Sequence, residues 1–307
     1  MYPYILMVLV VIIYAGNILV GKAINDLPPF TIAFFRLLVA FIALLPFGLK
    51  QAQEKWSLFP EYKKPILIMS LTGVTFFNTF IYGALQFTSA TNVSVLESSI
   101  PVLTVILSAI ILKEKLLKVQ WIGVVLSFLG AIWVILDGKL LLLASTAWNI
   151  GDGIMIGAIV CWSIYSIYVK QYMQLFPSFG APFIMTGISV LALLPFVAIE
   201  WITYGIPTFQ IPSHILGLLF LGIFPSFIAL VFYNRAVTLL GPSHASVFLN
   251  FLPVVTIIGA FLWLGETITL LQIIGSAFVI FGVMLTTQFG QEQKKKNERK
   301  QDDKLSV

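Results

Sequence analysis

Long apolar runs, broken by short joints that carry proline or charge, fill this chain almost from end to end. A helix needs about 20 apolar residues to cross a bilayer. Ten stretches reach that length: roughly 3–24, 30–49, 65–88, 91–112, 118–137, 152–172, 181–202, 213–239, 242–264 and 268–288. The joints hold the breakers Pro28-Pro29, Pro60, Pro177, Pro182, Pro207, Pro212 and Gly241-Pro242. Short joints make sequential helices antiparallel neighbours. The pattern predicts an all-α polytopic membrane protein of ten transmembrane helices, numbered below in chain order.

Composition agrees. Of 307 residues, 59% are hydrophobic and 10% charged, where a soluble domain carries about 25% charged residues. Mean hydropathy is +0.99. The single cysteine, Cys161, excludes an internal disulfide and reads as a small apolar helix residue. Met1-Tyr2-Pro3-Tyr4 lacks a basic n-region and no small-residue cleavage site follows the first run, so that run is expected to be retained as a helix.

The chain also repeats itself. The stretch from Ala84 to Leu136 returns at an offset of 152: Ser94 as Ser246, Pro101 as Pro253, Thr104 as Thr256, Glu114 as Glu266, Gln120 as Gln272, Gly123 as Gly275 and Gly130 as Gly282. Apolar residues coincide easily in such a sequence; a proline, a glutamate, a glutamine and two glycines in one register do not. This is an internal duplication, with expected units 1–148 and 149–290 and a basic tail, 291–307, expected to be disordered near anionic lipid heads.

Charge placement orients the bundle. Fifteen of the 18 lysines and arginines fall in the tail, around the joints after helices two and four, or at the ends of helices six and eight. Lys22 and Lys139 fall on the other side, and Arg36 lies within a span. The positive-inside rule then places both termini in the cytoplasm of a cell whose cytoplasmic membrane the chain spans. The net charge of +5 therefore reads as an orientation signal, and nucleic acid is not an expected partner. Each repeat holds five spans, an odd number, so the second enters the membrane from the opposite side. Two inverted five-helix repeats are a recurring architecture of secondary transporters, whose substrate site lies between the halves near the midplane.

These residues resemble the EamA repeats of the drug/metabolite transporter superfamily. The likeness rests on Phe34-Phe35-Arg36-Leu37-Leu38 in helix two and on Pro-Val-Leu-Thr and Pro-Val-Val-Thr in helices four and nine. It rests also on Glu114 and Gly265-Glu266, each followed by Gln-x-x-Gly and a further glycine. The likeness spans about residues 3–288 and implies export or exchange of small metabolites, amino acids or amphipathic drugs. Lys113 stands where the second repeat has Gly265, so the halves differ at that turn.

Charged and polar residues inside spans are the candidates for function, because an ionisable side chain there costs about 2.5–3.5 kcal/mol on insertion scales. Glu97 shares a face of helix four with Ser94, Ser98 and Pro101; it is expected to line a central cavity and hold a cation or a proton, or to pair with Arg36. Its counterpart is Leu249, so such a site is asymmetric. Arg36 binds an anionic group or ties helices together. Tyr14 and Asn17 of helix one and Trp162 and Tyr165 of helix six occupy equivalent places at an offset of 148 and are candidate cavity walls. Asn78, Tyr82, Tyr233, Asn234 and Asn250 line water or bond neighbouring helices. Pro101 and Pro253 remove backbone bonds and are candidate hinges. Gly123, Gly130, Gly275 and Gly282 suit close helix packing or a homodimer surface. Glu114 and Glu266 are expected to complement the dipoles of the helices they open.

The reading that follows is a secondary transporter with a small-molecule substrate, the lipid bilayer around it, and protons as the candidate coupling ion. No ATP-binding loop, zinc pattern or cofactor motif occurs in the sequence, so neither a metal nor a cofactor is expected. A channel or a non-transporting scaffold is the alternative. An intramembrane enzyme fits less well, because Ser243 and His244 are adjacent on a helix and do not face each other.

Overall fold

The computed structural model describes residues 2–111, 117–135, 149–207, 212–240, 249 and 251–285. Among these the secondary structure is helical throughout, with no strand. Six helices are long and apolar enough to cross a membrane: Tyr2–Ala23, Pro29–Glu54, Lys63–Leu85, Ile150–Val169, Gly180–Tyr204 and Pro212–Ala236. They are helices one, two, three, six, seven and eight of the sequence reading. Helix five runs Lys118–Ile135 and helix ten Leu270–Met284. Large apolar side chains face outward, Ile202 at 85% and Phe128 at 65% exposure. In water such a surface would aggregate; in lipid it is the solvated face.

Helix four is not one rod. It comprises Ala90–Glu97 and Ile100–Ile111, joined through Ser98 and Ser99. Pro101 stands in the first turn of the second piece, where the missing N–H has no intrahelical acceptor to lose. In helix nine the described piece Leu252–Gly259 begins after Phe251, also with Pro253 in its first turn; residues 241–248 and 250 lie outside the described residues. The two prolines expected as hinges within helices thus stand in the first turns of the described pieces Ile100–Ile111 and Leu252–Gly259. Helices three and eight carry a wide π turn, Ser70–Phe76 and Phe224–Ala229. Hydroxyls fill carbonyls loosened by these turns: Thr75 Oγ1 donates to the Ser70 carbonyl at 2.9 Å and Ser226 Oγ to that of Leu221 at 2.7 Å, each five residues back.

Packing between the two halves of the chain comes in matched pairs. Helix one packs on eight as six packs on three; one on nine as six on four; two on eight as seven on three. Helix two lies along seven, and five along ten. Exchanging each helix for its counterpart five places along leaves this set unchanged.

The four glycines expected to pack lie between helices five and ten. A Cβ on Gly130 would stand 3.0 Å from the Gly275 carbonyl oxygen, and one on Gly282 2.7 Å from that of Gly123. The contact is reciprocal and internal, so this glycine face is covered within the chain. Helix termini are tied across the halves too. The Glu200 carboxylate of helix seven accepts from the backbone N–H groups of Phe30 and Thr31 at 3.1 and 2.8 Å, capping helix two, whose Pro28 has no capping oxygen. Gln51 of helix two accepts from Phe179 and Gly180 at 3.0 and 3.3 Å, capping helix seven. Glu266 departs from expectation. It accepts from Ala90 N–H at 2.8 Å and from Thr91, capping helix four. Helix ten is opened instead by Thr269, in a capping box with Gln272. Glu114 and the tail lie outside the described residues.

Candidate functional site

Helices one, two, three, four, six and eight converge on a buried hollow. Tyr14, Asn17, Arg36, Asn78, Glu97, Trp162 and Tyr165, all named from the sequence, line it together with Gly73, Phe77 and Ser226. Its volume is about 40 Å³, enough for water and less than a drug-sized ligand needs. The hollow is therefore contracted in this conformation.

Arg36 is 3% exposed, and each of its three nitrogens donates a hydrogen bond. Nε and Nη2 donate to Ser226 Oγ at 2.8 and 2.6 Å; Nη1 donates to Asn17 Oδ1 at 3.0 Å, to Asn78 Oδ1 at 2.8 Å and to the Tyr82 hydroxyl. The Tyr82 hydroxyl in turn donates to Asn17 Oδ1 at 2.9 Å. One guanidinium thus joins helices one, three and eight to helix two. This is the tie read as one alternative from the sequence, but its partners are amides and hydroxyls. Among the described residues one basic side chain meets a carboxylate, His214 Nε2 with Asp26 Oδ2 at 2.8 Å, and Arg36 and Glu97 do not form an ion pair.

Glu97 ends the first piece of helix four, so the break at Ser98-Ser99 delivers its side chain to the hollow. Its serine neighbours bond their own helix: Ser94 Oγ to the Thr91 carbonyl at 2.8 Å and Ser98 Oγ to that of Val95 at 2.6 Å. Rings crowd the hollow in tilted pairs, Phe77 with Trp162 at 4.3 Å and Trp162 with Tyr165 at 4.9 Å between centroids. A Cβ on Gly73 would fall 2.3 Å from the Tyr165 ring, so only glycine admits that ring.

The sequence profile of the EamA-like transporter family matches residues 1–136 and 149–288. The chain belongs to that family. EamA-like transporters form part of the drug/metabolite transporter superfamily, and this one is a multi-pass membrane protein. A Bacillus subtilis protein described as an uncharacterized transporter, YyaM, is 28% identical over 221 residues, covering 71% of each chain. An Archaeoglobus fulgidus protein, likewise described as an uncharacterized transporter, is 28% identical over 291 residues, covering 92% of this chain and 96% of its own. A protein of Streptantibioticus cattleyicolor described as a probable terminal-alkyne amino-acid exporter is 25% identical over 220 residues, 72% of this chain and 71% of its own. One solved crystal structure shares the fold, with a TM-score of 0.62 at 17% identity over 95% of this chain and 97% of that one.

Not every candidate reaches the hollow of this EamA-like transporter. Tyr82 stands behind it, against Arg36. Tyr233 touches Trp162, 6.5 Å between centroids, without lining the hollow. Asn234 sits in the same helix and does not line it either. Asn250 lies outside the described residues. Phe77 and Ser226 were missed, since nothing in a run of phenylalanines and serines marks which face a π turn presents. A wider depression of about 960 Å³ includes Asp26, Glu200 and His214, but Glu200 caps helix two and Asp26 pairs with His214.

Proposed function

We propose that this transporter is a secondary carrier, an exporter or exchanger of small metabolites, amino acids or amphipathic drugs, working by alternating access across the cytoplasmic membrane. The observation that carries the reading is the hollow itself: a free carboxylate and a cluster of rings, buried where helices of both halves meet. The matched packing between halves supports two inverted five-helix repeats, 1–148 and 149–290, enclosing one substrate site with both termini cytoplasmic. Two similar halves of opposite orientation can pack in two ways of similar energy, one open to each side. The discontinuous helix four supplies a joint for that exchange.

Glu97 is the proposed binding group and the proposed carrier of a coupling proton. Tyr14, Arg36 and Tyr165 are the other titratable groups lining its hollow. Purified protein in liposomes loaded with mixed metabolites tests this. A carrier gives saturable counterflow, lowered about tenfold or more in Glu97→Gln, which is roughly 1.4 kcal/mol of binding or barrier per decade. A flux that rises linearly with concentration, or an unaltered rate and pH profile in both Glu97→Gln and Glu97→Ala, contradicts it.

A further inference from the structure

Glu97 differs from the other acidic groups inside the bundle in having no protein partner. Glu200 caps helix two, Glu266 caps helix four, and Asp152 accepts from Thr88 Oγ1 at 3.0 Å. Among the described residues the Glu97 carboxylate takes no hydrogen bond and no ion pair, although it lines the hollow. An unpaired carboxylate in a bilayer interior is costly unless something else completes it.

The walls describe what that is. Tyr14, Phe77, Trp162 and Tyr165 line the hollow, and Tyr233 touches Trp162. Aromatic faces attract cations, and rings grouped in this way recognise ammonium groups. The Tyr165 hydroxyl is a second unsatisfied group: its residue is 1% exposed and, among the described residues, the oxygen has no hydrogen-bond partner. It offers an acceptor for an ammonium N–H. The hollow does not offer an anion the same welcome. Its one cation, Arg36, already donates to four oxygens, and Nη2 donates only to the Ser226 oxygen it shares with Nε, so a substrate carboxylate would meet one remaining N–H there and not the paired fork that holds carboxylates well.

We infer that the substrate is an organic amine carried as a cation, with an aromatic or apolar body and no carboxylate, its ammonium held at Glu97 and its body among the rings. This rests on the carrier reading and narrows its substrate class from amino acids and mixed metabolites to amines. Binding requires the hollow to widen beyond its present volume, as a carrier must.

Four indole probes of one shape separate the charge classes: tryptamine (cation), tryptophan (zwitterion), indole-3-propionate (anion) and 3-ethylindole (neutral). Binding to the purified full-length protein and counterflow in proteoliposomes are measured for each. The inference predicts that tryptamine binds roughly tenfold or more tightly than the other three, the scale of one charge-assisted contact. It predicts loss of that preference in Glu97→Gln and its partial return in Glu97→Asp, both eluting as the monodisperse wild type does. Tryptophan or indole-3-propionate binding as well as tryptamine overturns it. So does a tryptamine preference that survives Glu97→Gln, and so does no binding by any probe. Counterflow of tryptophan alone overturns the inference and leaves the carrier standing; tryptamine binding without counterflow does the reverse.

Discussion

Arg36 and Glu97 are the two charges of the hollow, and the protein uses them in opposite ways. Arg36 is satisfied by oxygens on three other helices, whereas Glu97 is left open. A lysine at position 36 keeps the charge and loses the planar fork. Interhelical hydrogen bonds in a bilayer average about 0.6 kcal/mol and reach about 1.7, so Arg36→Lys is expected to destabilise by roughly 1–4 kcal/mol. A lower melting temperature in detergent is the readout, and an unchanged one removes the tie. Gly73→Ala drives a methyl group into the Tyr165 ring. Overpacking of this kind costs about 1–3 kcal/mol, and because the ring borders the hollow, transport should fall more than the amount of folded protein in the membrane. Both charges were legible in the sequence, because a charge inside an apolar run has few innocent explanations. The partners of Arg36 were not. Ser226 reaches Arg36 because a π turn rotates helix eight at that point, and no residue pattern announces the turn.

At the scale of the element, ends and crossings decide more than helix interiors do. Gln51 and Glu200 cap each other's helices. They stand at equivalent places, 149 residues apart, as do Thr31 and Gly180. Glu200→Ala should cost about 0.5–2 kcal/mol, the usual loss for a removed cap, and Glu200→Gln, which keeps one acceptor oxygen, should cost less. Thermal unfolding of the two variants in one detergent checks the order. At the crossing of helices five and ten, a Cβ on Gly282 would lie 2.4 Å from the Ser127 nitrogen, a backbone atom that cannot swing aside. Gly282→Val should therefore separate the two helices and lower the yield of folded protein, whereas Ala at Gly153, where a Cβ would meet nothing within 4 Å, should not. Sequence spacing found the glycine faces and the prolines. It misassigned Glu266, since a carboxylate at the start of one helix looks the same whether it caps that helix or the one beside it. It also drew helix four as a single span, because the apolar residues on both sides of Glu97-Ser98-Ser99 together reach a span's length while the helix does not run through.

For the whole molecule, the claim is that two copies of one five-helix unit, oppositely oriented, enclose a hollow whose free carboxylate meets the substrate. The all-helical, membrane-spanning character was readable from the ten apolar runs, while the inverted pairing of two five-helix units is the expectation that the repeat at an offset of 152 raises, because duplication preserves register in just those positions that pack. Contact between counterpart helices is what such an arrangement produces, but orientation in the bilayer is a property of the protein in its membrane. Asp26, after helix one, and Gln174, after helix six, are equivalent positions at an offset of 148, and both are exposed. In a chain whose Cys161 is replaced by alanine, single cysteines at these two positions can be labelled in intact cells with a membrane-impermeant maleimide. The account predicts labelling of Asp26→Cys from outside and of Gln174→Cys only after the membrane is opened. Equal access to both from the same side contradicts it.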